Sequence, residues 1–388
     1  MKAALDSTAR RRLLVIGLSA ACLSLAREMQ MFVTPFWVTQ GLGLEEKFVP
    51  ILLSYRWLGT AILLIPLAFL SEAIGPKRSI LFTLVLSSVL MFWMAGESFN
   101  TATFIFMVLG PAISSSFVMT DTLVQQVSET RRSFSNGVYR TIGAVVTFIG
   151  APIAAFSVAA GGSWTGVLIG CSALFAGSAL FAATYPGVGQ EQKSDVRSTL
   201  SRMSKVLGNS TLLKYICIVQ IAQVGASAFG SFAGLYATAE LGLTVTDWSK
   251  VGAIIAGISI FIVMISAKIV EWKGLAWTTA CGWLCAAVGR LTFAISDSPF
   301  WAVGVYAITT ILSAVASVTF SLWLAKIGGV SASTFMLNKL ASAVTFAIAS
   351  ALLGFLEPLF GMQYLLTASG LVTLYAAIVI FRFRPELH

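Results

Sequence analysis

The chain alternates between long apolar blocks and short polar connections. Apolar residues run on for about 20 positions at a time, the length of a helix that crosses a bilayer, rather than returning every 3.6 residues as on a half-buried helix. The blocks predict spans at 13–40, 48–71, 79–97, 102–126, 137–160 and 164–185, then at 211–236, 249–270, 277–295, 300–326, 333–356 and 361–383. The fold class is therefore all-α: a polytopic membrane protein with twelve transmembrane helices. The longest connection, 186–210, is polar, and in it Val196, Leu200, Met203 and Leu207 return near helical spacing with Arg197, Arg202 and Lys205 between them. That pattern predicts a short amphipathic helix on the membrane surface. It divides the chain into a six-helix bundle at 1–185, a cytoplasmic linker at 186–210 and a second six-helix bundle at 211–388.

Composition narrows the class further. Of the 388 residues, 57% are hydrophobic and 11% charged, against roughly 25% charged in a soluble domain. The net charge of +9 reads as membrane topology, not as nucleic-acid binding. With the N-terminus inside, Lys47 and Lys250 are the only Lys or Arg in outer loops, while acidic residues divide evenly between the two sides. This is the positive-inside bias, and it places both termini in the cytoplasm and the chain in the inner (cytoplasmic) membrane. Arg10, Arg11 and Arg12 precede an apolar run, as in a signal peptide, but the run continues to about Thr39, so an uncleaved first span is expected. Cys22, Cys171, Cys217, Cys281 and Cys285 have no metal-ligand spacing and His388 is the last residue, so neither a metal nor another cofactor is expected. There is no phosphate-binding Gly-Lys-Ser/Thr loop for ATP, and no acidic cluster or large loop of the kind a membrane transferase needs.

The two halves repeat. Leu42-Gly43-Leu44 returns as Leu241-Gly242-Leu243. Ala68, Glu72 and Gly75 return as Ala267, Glu271 and Gly274. Arg140 and Ala144-Val145 return as Lys339 and Ala343-Val344, every match at an offset of 199 residues. Parallel six-span repeats related by an axis along the membrane normal are a transporter plan. The segment Ala68-Phe69-Leu70-Ser71-Glu72-Ala73-Ile74-Gly75-Pro76-Lys77-Arg78 resembles the loop signature of the major facilitator superfamily, Gly-x-Leu-Ala-Asp-Arg-x-Gly-Arg-Arg. It departs from that signature at Ala68, Glu72 and Ala73, and 267–274 is a fainter second copy. The resemblance implies a monomeric secondary transporter that rocks one half against the other. It implies a gating motif of Glu72, Gly75, Lys77, Arg78, Glu271 and Gly274, with Glu72 docking on the N-terminus of span 11. A solvated loop acid is the plainer reading of Glu72.

Charges inside the spans supply the candidate chemistry. Arg27, Glu28, Arg56, Asp121, Arg140, Arg290 and Lys339 each cost free energy in a bilayer unless paired or facing water. Cations outnumber acids among them, which suits a substrate that brings negative charge. Glu28 and Asp121 are the candidate proton-coupling acids. Adjacent helical residues point about 100° apart, so Arg27 and Glu28 are not expected to pair with each other; the structural alternative for Glu28 is an ion pair with Arg56. Asp121 and Arg140 fall at similar depth in spans 4 and 5 and are expected to form a salt bridge. Arg140 and Lys339, equivalent by the repeat, suit a carboxylate or phosphate, or else anchor their helices by snorkelling. Arg290, in span 9, is read as a packing residue. The expected substrate lining is Arg27, Arg56, Arg140 and Lys339 with the neutral Gln30, Tyr55, Gln220, Gln223 and Asn338. The leading reading is proton-coupled transport of a small organic anion or zwitterion, with small molecule, proton and lipid bilayer as partners. The alternatives are a drug-like cation antiporter and a non-transporting assembly factor or sensor built on the same fold.

Overall fold

The computed structural model describes residues 7–96, 98–126, 132–185, 201, 204, 207–328 and 332–383. These residues are helical, with short turns between. The helices are α1 (Ser7–Phe36, continued by one π-turn over Trp37–Gly41), α2 (Phe48–Ile74), α3 (Pro76–Met94), α4 (Phe99–Gln126), α5 (Arg132–Ala159), α6 (Trp164–Ala183), α7 (Ser210–Ala239), α8 (Val245–Lys273), α9 (Leu275–Ile295), α10 (Pro299–Ser313), α11 (Val315–Gly328) and α12 (Ala332–Arg382). Among the described residues, 9 helices are long and apolar enough to cross a membrane. The shorter apolar stretches Phe148–Ala159 and Pro299–Ser313 belong to expected spans 5 and 10. Span 10 runs as two helices, α10 and α11, that meet at Ala314, and spans 11 and 12 run as the 51-residue α12, interrupted at Gly361. The architecture is all-α and consistent with the twelve expected spans. Most of the expected amphipathic helix at 186–210 lies outside the described residues.

The chain divides into two compact units. One comprises Met1–Gly43 with Tyr55–Val196, the other Leu44–Ser54 with Arg197–His388. The first turns of α2 thus group with the second unit and its remainder with the first. In the first unit α1 packs on α5 and α6, and α3 on α4 and α6; in the second α7 and α9 pack on α12, and α9 on α10 and α11. Small hydroxyl residues join neighbouring helices where no water can satisfy the backbone. Ser19 and Ser178 each donate to the other's carbonyl oxygen, at 3.0 and 2.8 Å, and Ser88 and Ser172 do the same at 2.9 and 2.8 Å. Outward surfaces carry large apolar side chains: Phe156 is 71% exposed and Phe355 70%. Such surfaces suit lipid contact.

The repeat is written into the backbone. Among the described residues the six positive-φ glycines form pairs: Gly43 with Gly242, both at φ 67°, and Gly75 with Gly274, at 85° and 82°, in the repeat register, and Gly161 with Gly361, at 92° and 76°, one residue out of it. Gly75 (ψ 154°), Gly274 (ψ 166°) and Gly361 (ψ 163°) share one conformation, open in practice only to glycine. At each of them a single residue ends one helix and starts the next. The glycines expected as gating-motif residues are therefore also one-residue helix corners.

Candidate functional site

In the first unit, two helices bring the described intramembrane charges together. Arg27 and Glu28 sit midway along α1, and Arg56 sits on the part of α2 that belongs to this unit. Arg27 Nη1 donates to Glu28 Oε1 at 2.9 Å, and the two side chains remain 42% and 25% exposed. The expectation that these neighbours would not pair is therefore overturned. The arginine side chain is long enough to curl back across the angle that separates the two Cα–Cβ bonds. On its other side the Arg27 guanidinium lies 5.5 Å from the centre of the Phe117 ring of α4. Gly150 of α5 makes room for the acid, since a Cβ there would meet Glu28 Cβ at 2.9 Å.

Arg56 is 3% exposed. It does not form an ion pair with Glu28. Its Nη1 donates to Gln30 Oε1 at 3.2 Å and to the Met31 sulfur at 2.6 Å, and its guanidinium lies 5.7 Å from the Trp57 ring centre. The α2–α4 crossing behind it is tight. A Cβ on Gly110 would run into the Arg56 backbone oxygen, and one on Gly59 would run into the Met107 carbonyl. This cluster is thus a part-exposed ion pair backed by a buried cation held by neutral acceptors.

The other expected residues are placed as follows. Asp121 lies on α4 and Arg140 on α5, and their side chains, with the bridge expected between them, fall outside what is described. Glu72 lies in the last turn of α2, and its side chain, with the docking expected of it, likewise falls outside what is described. Lys77 Nζ donates to the Tyr185 carbonyl at 2.7 Å, just past the end of α6, where a cation meets the negative end of the helix. Arg78, Glu271 and Lys339 are exposed, and Tyr55 is 40% exposed. Asn338 is buried with no partner for its side-chain oxygen among the described residues, and neither polar atom of Gln220 has one. Gln223 lines a cavity within the second unit.

That cavity was not foreseen. It lies among α7, α9, α10, α11 and the second half of α12, and Arg290 stands in its wall with a hydrogen bond of 2.6 Å to Thr373. The roles of Met31, Phe117 and Gly150 were also missed. The one signal available in the sequence was that spans 7–12 place Arg290 far from any acid.

The family profile described as Major Facilitator Superfamily matches residues 16–344. No curated protein matches the sequence. Solved structures are similar throughout. The nucleoside transporter NupG superposes with a TM-score of 0.79 at 11% identity, covering 96% of this chain and 98% of that one. A POT family transporter in complex with 5-aminolevulinic acid gives 0.77 at 14% identity, covering 97% and 96%. A bacterial homolog of the human lysosomal transporter Spinster, inward-facing and unoccupied, gives 0.76 at 12% identity, covering 97% of each chain. At such identities the likeness concerns the fold.

Proposed function

From the premise that the chain belongs to the Major Facilitator Superfamily, we propose that it is a proton-coupled secondary transporter of a small organic anion or zwitterion, working by alternating access. The observation that carries the reading is the Arg27–Glu28 pair beside the buried Arg56. While Glu28 is ionised it neutralises Arg27. Protonating Glu28 releases Arg27, which then holds a substrate carboxylate by a charge-assisted hydrogen bond. Proton and anion thereby favour each other's binding, and thermodynamic linkage makes the effect reciprocal. This gives symport, and the excess of cations in the cluster disfavours a cationic cargo. One structural neighbour was captured with 5-aminolevulinic acid, a small amine that bears a carboxylate, which fits the same substrate class. Arg140 and Lys339 are proposed as further anion ligands on their repeat equivalence alone. The inner membrane, with cytoplasmic termini, is proposed from the loop charge.

The test is uptake by proteoliposomes under an imposed pH gradient, across a panel of labelled carboxylates and amino acids. Wild-type protein is expected to concentrate at least one of them when the outside is acidic. Glu28→Gln is expected to remove the acceleration by the gradient while leaving counterflow. Gradient-driven uptake by Glu28→Gln at the wild-type rate would sink the coupling role, and substrate affinity unchanged in Arg140→Gln/Lys339→Gln would remove that pair.

A further inference from the structure

The second unit holds a cation that the transport reading does not use. Arg290, three-quarters of the way along α9, donates to Thr373 at 2.6 Å and lies 5.6 Å from the centre of the Phe229 ring. Both neighbours are neutral. The described acids of this unit, from Glu45 and Glu46 through Glu240, Asp247, Glu271 and Asp297 to Glu357, stand at or beyond helix ends or at the Gly361 break, and none makes an ion pair with Arg290. The α7 backbone closes one side of the guanidinium, because a Cβ on Gly225 would meet Thr373 Oγ1 at 2.5 Å and Arg290 Nη1 at 3.2 Å. Another side opens into a cavity of about 320 Å³, a size that small ligands occupy.

The rest of the wall defines what fits there. Tyr215 is fully buried, lines the cavity and has no partner for its hydroxyl among the described residues. It lies toward the far end from Arg290, near Thr279, whose hydroxyl donates to Thr319 at 2.8 Å. Thr279 and Arg290 are separated by about 16 Å along α9 at 1.5 Å per residue. Between these polar ends the lining is small or aromatic, including Ala222, Ala286, Trp283 and Phe320. A lone guanidinium with one hydroxyl balances one negative charge. Arg290 is half-buried, and holding a cation there without a counter-charge is unfavourable.

We propose that this cavity binds a monocarboxylate with an apolar body, its carboxylate on Arg290, whose guanidinium is steadied by Thr373, and its far end toward Tyr215. The same chemistry belongs to a soluble aromatic acid and to a membrane-derived fatty acid, so both serve as probes. The site lies within one unit and is independent of the coupling assigned to Glu28. Equilibrium dialysis of labelled benzoate and labelled decanoate against the purified full-length protein is the test, with benzamide and acetate as competitors. Saturable binding of benzoate, of decanoate or of both is expected at one site per chain. Preference for benzoate assigns a soluble acid, preference for decanoate a lipid-derived one. Neutral benzamide and small acetate are expected not to compete. Arg290→Gln is expected to weaken binding about tenfold or more, the scale of one charge-assisted contact, and Arg290→Lys to keep part of it. Ala286→Leu, which fills the cavity and leaves the cation in place, is expected to abolish binding, and it decides the matter should Arg290→Gln not fold. No saturable binding of either probe, competition by benzamide equal to benzoate, or binding unchanged in folded Arg290→Gln or Ala286→Leu would overturn the site. These readouts contain no transport step, so a failure of Glu28→Gln to uncouple uptake leaves them unaffected.

Discussion

The two units use one helix crossing in two chemical versions. On α1, Arg27 and Glu28 form an ion pair, and Glu28 packs on Gly150 of α5. At the equivalent places 199 residues later stand Ala226 and Ser227 on α7, and Ser227 meets Ser350 at 3.0 Å, hydroxyl to hydroxyl. Conversely the unpaired Arg290 of the second unit corresponds to Met91 in the first. The repeat has kept the helix pairing and moved the charge. In the first unit the cation is paired within its own chain. In the second, Ala226 helps to line the cavity beside Arg290, which pairs with none of the described acids. One architecture thus carries a paired cation in one half and, among the described residues, an unpaired one in the other.

Converting one version into the other is the sharpest way to break this comparison. The double change Arg27→Ala/Glu28→Ser writes the second unit's crossing into the first. It is expected to lower gradient-driven uptake by about a hundredfold, since general acid–base groups supply effects of this order, while the melting temperature of the purified protein changes little because both partners leave together. Next in size, Gly75→Ala and Gly274→Ala, at equivalent corners, are each expected to destabilise by about 1–3 kcal/mol, read as lowered thermal melting. Unequal losses would show that one unit tolerates strain better than the other. Arg290→Met, which writes the first unit's residue into the second, is expected to raise thermal stability by about 1 kcal/mol, as when a buried ion gives way to an apolar side chain of similar size. Ser227→Ala is expected to cost about 1 kcal/mol for the lost hydrogen bond.

The smallest expected effect depends on pH. The start of α2 packs on α12, where a Cβ on Gly354 would meet the Lys47 carbonyl at 3.0 Å. Nearby, burial first and then the charges of Glu357 and Glu240 push the Glu46 carboxyl up from its ordinary value. A raised carboxyl pKa means that the packed arrangement binds the proton more tightly than the open chain does. Its contribution is full below the ordinary carboxylate range and is lost as pH rises through the raised value. Protection of the amides at 48–54 against hydrogen exchange, after division by the intrinsic base-catalysed rate, is expected to fall over that interval, and Glu46→Gln to flatten the change.

Much of the fold was legible because the bilayer imposes a coarse rule. Apolar blocks of span length and loop cations on one side are visible in any single sequence, and the offset of 199 residues emerged from Gly43, Gly75 and their partners. The corner geometry was not legible, since Gly361 differs from any other glycine only once its dihedral angles are seen. The site was half legible. Counting intramembrane charges found Arg27, Glu28 and Arg56, but their pairing turned on side-chain reach, which Cα–Cβ directions do not convey. A search for charged partners passes over Met31 and Gln30, the acceptors that hold Arg56. Arg290 was set aside as a packing residue. What gives it significance is the shape of the space beside it, assembled from alanines on several helices.

The one-residue corners have a mechanical consequence. A loop of several residues acts as a slack tether, so two helices joined by one can tilt independently. At Gly75, Gly274 and Gly361 no slack exists. Each corner is a short crank pin, and a tilt of α2, α8 or the first half of α12 is handed at once to the helix that follows. These pairs therefore act as coupled levers, and an inserted residue at a corner would let one arm swing without the other.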